Sequence, residues 1–310
     1  MCKKLKIVLP VLALFLCLIG CGNVLPENSA PTATVAVKSG WEITDSNTYY
    51  YEDGVALTGW QEIDGKRYCF DNTGIMQTGW FVSETDRYYL GADGTVVTGW
   101  QEIEKEQYYF RENGTMCVGR VEIDGTANFF SSQGKHVLLV NFENDVPDDY
   151  IPELVEVRGR KMDASCADAL DKLLDACEKD GYKCTFNSGY RSVERQQKLW
   201  DERYQQYRDA GYSKKKAKAK VEESVAKPGT SEHHLGLAAD IGGDKQMQKW
   251  LEEHAWEYGF IVRYPEGKTE YTGIIYEPWH IRYVGKELAK ELYELDLCLE
   301  EYMEMLTQGA

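Results

Sequence analysis

The sequence predicts an α+β domain with a small antiparallel sheet and flanking helices, preceded by an all-β hairpin-repeat solenoid. Two observations carry this. Trp41, Trp60, Trp80 and Trp100 recur every 19 or 20 residues, each directly after a glycine. Beyond residue 136 the repeat stops, and short apolar runs alternate with stretches of helical periodicity.

The first segment stands apart from both. Lys3, Lys4 and Lys6 precede an apolar run over 7–19 that only Pro10 interrupts. That run is too short to span a bilayer and has the length of a signal-peptide core. Residues 1–20 therefore read as a signal. It ends in Leu18-Ile19-Gly20-Cys21, and small or apolar residues before a cysteine resemble the bacterial lipoprotein signal. The resemblance implies that Cys21 becomes the lipidated first residue, which anchors an exported chain to the outer face of the cell membrane by lipid alone. The alternative is an ordinary secretory signal with an incidental cysteine. Residues 21–38, rich in Pro, Asn, Ala, Thr and Val, read as a flexible tether. The rest suits two domains, 39–136 and 137–310.

The net charge of −16 argues against nucleic acid as a partner. Setting aside Cys2, Cys17 and Cys21 leaves Cys69, Cys117, Cys166, Cys177, Cys184 and Cys298. None forms a C-x-x-C pair, which argues against a cysteine zinc site. Export permits disulfides, but no pairing can be read, and buried free thiols are the alternative.

Between the repeated tryptophans lie aromatic clusters such as Tyr68-Cys69-Phe70, Tyr88-Tyr89 and Tyr108-Tyr109-Phe110. A glycine turn follows each cluster, at Gly54, Gly74, Gly94, Gly114 and Gly134. Aromatic strand, tight turn and short strand make a hairpin, and a lone hairpin cannot bury its aromatic face, so the hairpins must stack. Thr58-Gly59-Trp60, Thr78-Gly79-Trp80 and Thr98-Gly99-Trp100 resemble the choline-binding or glucan-binding cell-wall repeats of Gram-positive bacteria. The resemblance implies aromatic boxes for a quaternary ammonium, held by cation–π attraction, and hence a choline-bearing teichoic acid or other wall polymer as partner. The candidate walls are Trp60, Tyr68, Trp80, Tyr88 and Trp100. Simple aromatic packing is the alternative. Arg120 stands where a fifth tryptophan would fall, and with the polar 126–128 it marks the last repeat as a degenerate cap.

In the second domain, apolar residues at helical spacing predict a helix over 163–182, capped by Asp163. A strand follows at 185–188, then a polar helical stretch over 193–226 broken near Gly211. Residues 237–241 read as a buried strand. An amphipathic helix over 245–258 turns Met247, Trp250, Leu251 and His254 inward. Strands are expected at 260–263, 273–276 and 280–284, and a last helix at 286–306.

Ser231-Glu232-His233-His234-Leu235-Gly236-Leu237-Ala238-Ala239-Asp240 and Glu277-Pro278-Trp279-His280 carry the chemistry. They offer two imidazoles, a carboxylate able to bind metal, and a second carboxylate three residues before the last imidazole. A catalytic zinc needs three protein ligands, a position left for water and a nearby base. Gly236 allows the bend that brings His233 and Asp240 to one ion.

These two segments, with Ser188-Gly189-Tyr190-Arg191-Ser192, resemble the VanY-type D-alanyl-D-alanine carboxypeptidases, zinc peptidases related to the hedgehog and lysostaphin folds. The likeness spans about 145–306. It implies one Zn²⁺ ion on His233, Asp240 and His280, with Glu277 as general base. Arg191 and Ser231 would hold the free carboxylate of the substrate. An arginine suits that task through its bidentate fork. The implied activity is removal of the terminal D-alanine from peptidoglycan stem peptides. D,D-cleavage, L,D-cleavage and endopeptidase action on crosslinks all stay open at this point. A non-catalytic wall-binding lipoprotein is the rival from another class.

Overall fold

A computed structural model describes residues 37–308. The signal peptide, Cys21 and the tether up to residue 36 lie outside the described residues. The chain forms two compact units, one through Leu57 and one from Thr58 onward. In the first, β1 (Gly40–Ile43), β2 (Thr48–Glu52) and β3 (Val55–Ala56) make a three-stranded antiparallel sheet.

The second unit opens with four hairpins at the expected period. They are β4 (Gly59–Ile63) with β5 (Lys66–Phe70), β6 (Gly79–Ser83) with β7 (Asp86–Leu90), β8 (Gly99–Ile103) with β9 (Glu106–Phe110), and β10 (Gly119–Ile123) with β11 (Thr126–Phe130). The glycine turns at 74, 94, 114 and 134 are present, but they follow each ladder rather than close it. The ladders close through two-residue loops at 64–65, 84–85, 104–105 and 124–125. Asp64, Glu84, Glu104 and Asp124 take φ of 51°, 55°, 54° and 51° there, the left-handed conformation that matches strand twist. After the turns at Gly94, Gly114 and Gly134 the chain bonds the hairpin of the preceding repeat. Val96 N–H donates to Arg67 O, Met116 to Arg87 O and His136 to Gln107 O, at 2.8–2.9 Å. These bonds stack one repeat on the next.

The hairpin β12 (Leu154–Val157) and β13 (Arg160–Asp163) leads into α1 (Ala164–Lys179). Asp163 caps α1 through Ser165 N, 3.0 Å away. Next come β14 (Thr185–Ser188), α2 (Val193–Asp209), α3 (Lys214–Glu222), a 3₁₀ turn at Glu232–Leu235 and β15 (Ala238–Gly242). They are followed by α4 (Lys245–His254), β16 (Phe260–Tyr264), α5 (Thr269–Thr272), β17 (Glu277–Tyr283), α6 (Lys286–Leu295) and α7 (Leu299–Gln308). The sheet order is β14-β15-β17-β16, antiparallel throughout.

Three expectations are corrected. Residues 273–276 form no strand. Gly273 ends α5 in the left-handed region, and Ile275 N–H bonds Glu223 O instead of a sheet neighbour. The last helix is two, because Asp296 at φ 54° closes α6. His254 only borders the inner face of α4: it is partly buried, its ring 5.0 Å from that of Trp250, and its Nδ1 bonds Glu257.

Leu170, Leu173 and Leu174 of α1, with Met247, Trp250 and Leu251 of α4, pack on Phe186, Ala239, Ile241, Phe260 and Ile281 of the sheet. A second core joins the last hairpin to the C-terminal helices: Phe129, Val137 and Leu139 meet Leu288, Leu292, Leu299, Tyr302 and Met303. Arg120 N–H donates to Thr307 Oγ1 at 2.9 Å, and Ser132 N–H to the Tyr302 hydroxyl at 3.0 Å. All six cysteines in the described residues are free thiols. Among the described residues no helix is long and apolar enough to cross a membrane.

Leu299 is fully buried at this junction. Leu299→Ala should cost about 2–5 kcal/mol, read as a lower urea midpoint with an unchanged slope. A loss under 1 kcal/mol would show that the junction core contributes little.

Candidate metal centre

Strand register builds the site. Asp240 of β15 lies directly opposite His280 of β17, and Ser188 of β14 lies opposite Asp240. Side chains alternate along a strand, so Ala239, Ile241 and Ile281 enter the core while Asp240 and His280 face away from it. His233 arrives from the 3₁₀ turn, which ends at Gly236 with φ 71°. A Cβ on Gly236 would lie 2.9 Å from the Asp163 nitrogen, so glycine is required both by conformation and by space.

His233, Asp240 and His280 each present one ligand atom, and the three atoms lie within 4.8 Å of one another. His233 Nε2 is 3.3 Å from Asp240 Oδ2, and His280 Nδ1 is 3.1 Å from Asp240 Oδ1. His233 Nδ1–H donates to Gly189 O at 2.7 Å, which leaves the Nε2 lone pair facing the site. Two nitrogens and a carboxylate so disposed fit a divalent metal such as zinc. Electrostatics agree with the donor set. Burial raises the Asp240 pKa, but His233 and His280 overcome it and hold the carboxyl well below its usual range. Burial also pulls His280 down, yet the Asp240 carboxylate hydrogen-bonded to it and the Glu232 carboxylate beside it carry it up to about 9. The site thus stabilises positive charge at its centre.

Glu277 Oε2 lies 4.0 Å from His280 Nδ1. Burial raises its pKa to about 7, against the opposing charges of His280 and Arg191. A carboxyl poised near neutrality is suited to take and return a proton. Arg191 Nη2 reaches Asp240 Oδ2 at 3.3 Å and Ser188 Oγ at 3.0 Å, and Nη1 reaches Gln196 Oε1 at 2.8 Å. Ser231 is buried and makes no capping bond to its 3₁₀ turn. A cleft of about 310 Å³ is lined by Arg191, Ser231, His233, Asp240, Glu277 and His280 together, with Tyr264 and Trp279 on its walls.

Sequence reasoning passed over several residues here. His234 Nδ1–H donates to Arg191 O at 2.6 Å, and Gly229 N–H donates to His234 Nε2 at 3.2 Å. The paired histidines therefore clamp the Gly189–Arg191 loop, one at each end. Beneath them Glu232 is fully buried, with Arg263 Nε at 2.8 Å and Arg282 Nη1 at 2.7 Å on its Oε1. Arg263 also bonds both oxygens of Glu300, at 2.6 and 2.8 Å. Strand alternation was the available signal for Arg282, two residues past His280 and so on the same face.

The repeat aromatics divide into unlike sets. Trp60 packs with Phe81 and Tyr88, and the Arg67 guanidinium lies 4.0 Å from the Trp60 ring centre and 5.4 Å from that of Tyr88. Trp80 packs with Tyr89 and with Tyr108, the latter at 5.0 Å and 67°, and is 44% exposed. Trp100 meets Tyr109, Phe130 and His136. Burial pushes His136 down to about 4, so it is neutral at physiological pH. Tyr68 is buried.

Fold and site define a chain in which stacked β-hairpins carry an α+β domain with a two-histidine, one-aspartate centre. The comparisons with known proteins place it further. Residues 159–286 match the family model for D-alanyl-D-alanine carboxypeptidase, VanY, and residues 57–96 and 97–137 match choline-binding repeats. A D-alanyl-D-alanine carboxypeptidase of Enterococcus faecalis is 45% identical over 174 residues, covering 54% of this chain. The chain spans 65% of that relative's length. The crystal structure of a vancomycin-resistance D,D-pentapeptidase VanY in complex with Zn(II) is 45% identical, with a TM-score of 0.52, over 53% of this chain and 97% of that one. VanYB in complex with D-alanine-D-alanine matches at 45% identity and a TM-score of 0.52, over 54% of this chain and 96% of that one. The C-terminal domain of this chain belongs to the VanY family, and the hairpins over 57–137 match choline-binding repeats.

Asp240→Ala removes the carboxylate that both imidazoles face. The purified variant should lose its bound divalent metal in elemental analysis after dialysis. Retention of the wild-type stoichiometry would show that Asp240 is not a ligand.

Proposed function

We propose that this chain is an exported zinc-dependent carboxypeptidase that removes the terminal D-alanine of peptidoglycan stem peptides. The observation that carries this reading is one cleft shared by the convergent His233, Asp240 and His280, the buried Glu277 and the arginine fork of Arg191. His233 Nε2, Asp240 and His280 Nδ1 would hold Zn²⁺. Bound there, the ion supplies Lewis acidity, lowering the pKa of a water towards about 7 and polarising the scissile carbonyl.

The chain's own groups do the rest. Glu277 takes the proton of the attacking water and returns it to the departing amine. Arg191 receives the terminal carboxylate of the peptide, and Ser231 adds a hydroxyl at the cleft wall. Gln196 and the His234 clamp keep the Arg191 fork in place. A fixed cation at the cleft favours an exo-acting enzyme over an endopeptidase. Similarity to a D,D-pentapeptidase and to a D-alanine-D-alanine complex favours D,D-cleavage over L,D-cleavage.

The repeats would hold the enzyme on a wall polymer bearing choline and so raise its effective concentration near substrate. Lipidation at Cys21 would add an anchor at the outer membrane face. Of the predicted wall residues, Trp80 is the one suited to a quaternary ammonium, with Tyr108, which the sequence reading did not include, beside it. Arg67 fills the Trp60–Tyr88 set, and Trp100 has His136 at its edge.

Glu277→Ala should abolish D-alanine release from a defined pentapeptide muropeptide, measured by mass spectrometry, while zinc content stays at the wild-type level. Turnover near wild type in that variant would remove Glu277 as the base. Millimolar choline should raise the melting temperature of the wild type, and Trp80→Ala should abolish the rise. Arg67→Ala should add one choline site by calorimetry. A melting temperature that choline leaves flat would discard the box assignment.

A further inference from the structure

We infer that Glu232 is a positioning residue for the metal centre: it accepts the Nε2 proton of His280 and so holds the Nδ1 lone pair on the ion. The inference rests on the reading of His280 Nδ1 as a ligand atom. A neutral imidazole carries one ring proton. If Nδ1 is the ligand, that proton sits on Nε2 and needs an acceptor. His280 Nε2 is buried and has no hydrogen-bond partner. The carboxylate oxygen facing it is Glu232 Oε2, at 3.9 Å, and this atom too is buried without a partner. Two orphaned polar atoms of complementary kind thus face each other inside the protein. About 1 Å of closure through side-chain rotation makes a normal bond between them.

The other oxygen explains why Glu232 is available. Oε1 takes both Arg263 Nε and Arg282 Nη1, so the carboxylate is anchored and charge-compensated from one side only. Oε2 is left directed at the ring. Arg263 is itself held by Glu300 of α7, and Arg282 Nη2 donates to Leu138 O at 2.9 Å. The acceptor is therefore fixed from several elements at once, and its orientation does not depend on one bond. Glu232 touches neither substrate nor ion. It acts through His280.

The test compares zinc affinity of wild type and Glu232→Gln by competition with a fluorescent chelator. Loss of an acceptor behind a ligating imidazole weakens metal binding by roughly 10–100-fold, and that drop is expected here. Arg263→Met is the control. It disturbs the same ion cluster but keeps the carboxylate, so it should lower the melting temperature while zinc affinity stays within about twofold of wild type. A purely structural Glu232 would behave in the same way, losing stability with affinity unchanged, and that result would overturn the inference. If Glu232→Gln does not fold, the wild type alone decides. Nitrogen-15 NMR of the zinc-loaded protein should show His280 protonated at Nε2, with its proton slow to exchange. A proton at Nδ1 overturns the inference. Wild-type protein that binds no zinc would take the metal reading down as well, whereas zinc binding with an unaffected Glu232→Gln variant removes Glu232 alone.

Discussion

The pairing of β15 with β17 is the constraint on which the rest of the molecule depends. It sets Asp240 opposite His280, and a slip of one residue would turn one of them into the core. The register is enforced from the other face of the sheet. Ala239, Ile241 and Ile281 are buried there against α1 and α4, so apolar burial far from the chemistry decides which side chains meet at the site. Gly189 extends the same logic to His233, the third candidate ligand. Its carbonyl aims His233, and a Cβ there would fall 2.3 Å from Lys161 O, so no larger residue fits without moving the loop.

A second device lies below the site. Glu232, Arg263, Arg282 and Glu300 form a buried ion cluster that joins the 3₁₀ turn, two sheet strands and α7. Such clusters add little net stability, but removing one member strands a charge and costs about 3–5 kcal/mol. The cluster also reaches Leu138, in the segment that leaves the last repeat. With the core formed by Phe129, Leu139, Leu299 and Tyr302, this makes the final hairpin part of the C-terminal fold rather than a separate bead. The degenerate repeat signalled by Arg120 is the surface on which α7 rests: a Cβ on Gly119 would meet the Leu306–Thr307 backbone at 3.0 Å.

Much of this was legible in the sequence, for reasons that also explain what was not. The hairpin period, α1 with its Asp163 cap, the break at Gly211 and the strand at 238–242 follow from periodicity and local chemistry. The three candidate ligands were visible because chemistry restricts which residue types can hold a metal. Residues 273–276 looked like a strand because their composition is apolar; Ile275 N–H goes to Glu223 O instead, a tertiary choice with no local signal. Asp296 gives no warning that it will adopt a left-handed conformation and split the last helix. Glu232 drew no reading from the sequence, because its partners Arg263 and Arg282 lie 31 and 50 residues further on. The occupied Trp60 box was hidden for a similar reason. The aromatic spacing was plain, but which cation would lie on the ring depended on the fold.

Three carboxyls surround the centre, and their environments assign them different tasks. Burial works against the charge of all three. For Glu232 two guanidinium groups outweigh it, so the acid stays ionised and can only accept hydrogen bonds. For Asp240 the imidazoles outweigh it, again leaving an anion, now directed at the ligand position. Glu277 has weaker compensation from His280 and Arg191, and burial prevails, leaving a carboxyl near 7 that can hold or release a proton. One residue type thereby supplies a fixed anion, a candidate metal ligand and a carboxyl suited to carry a proton. The division does not come from the acids themselves. It comes from where two strands and one short turn place the arginines and histidines around them.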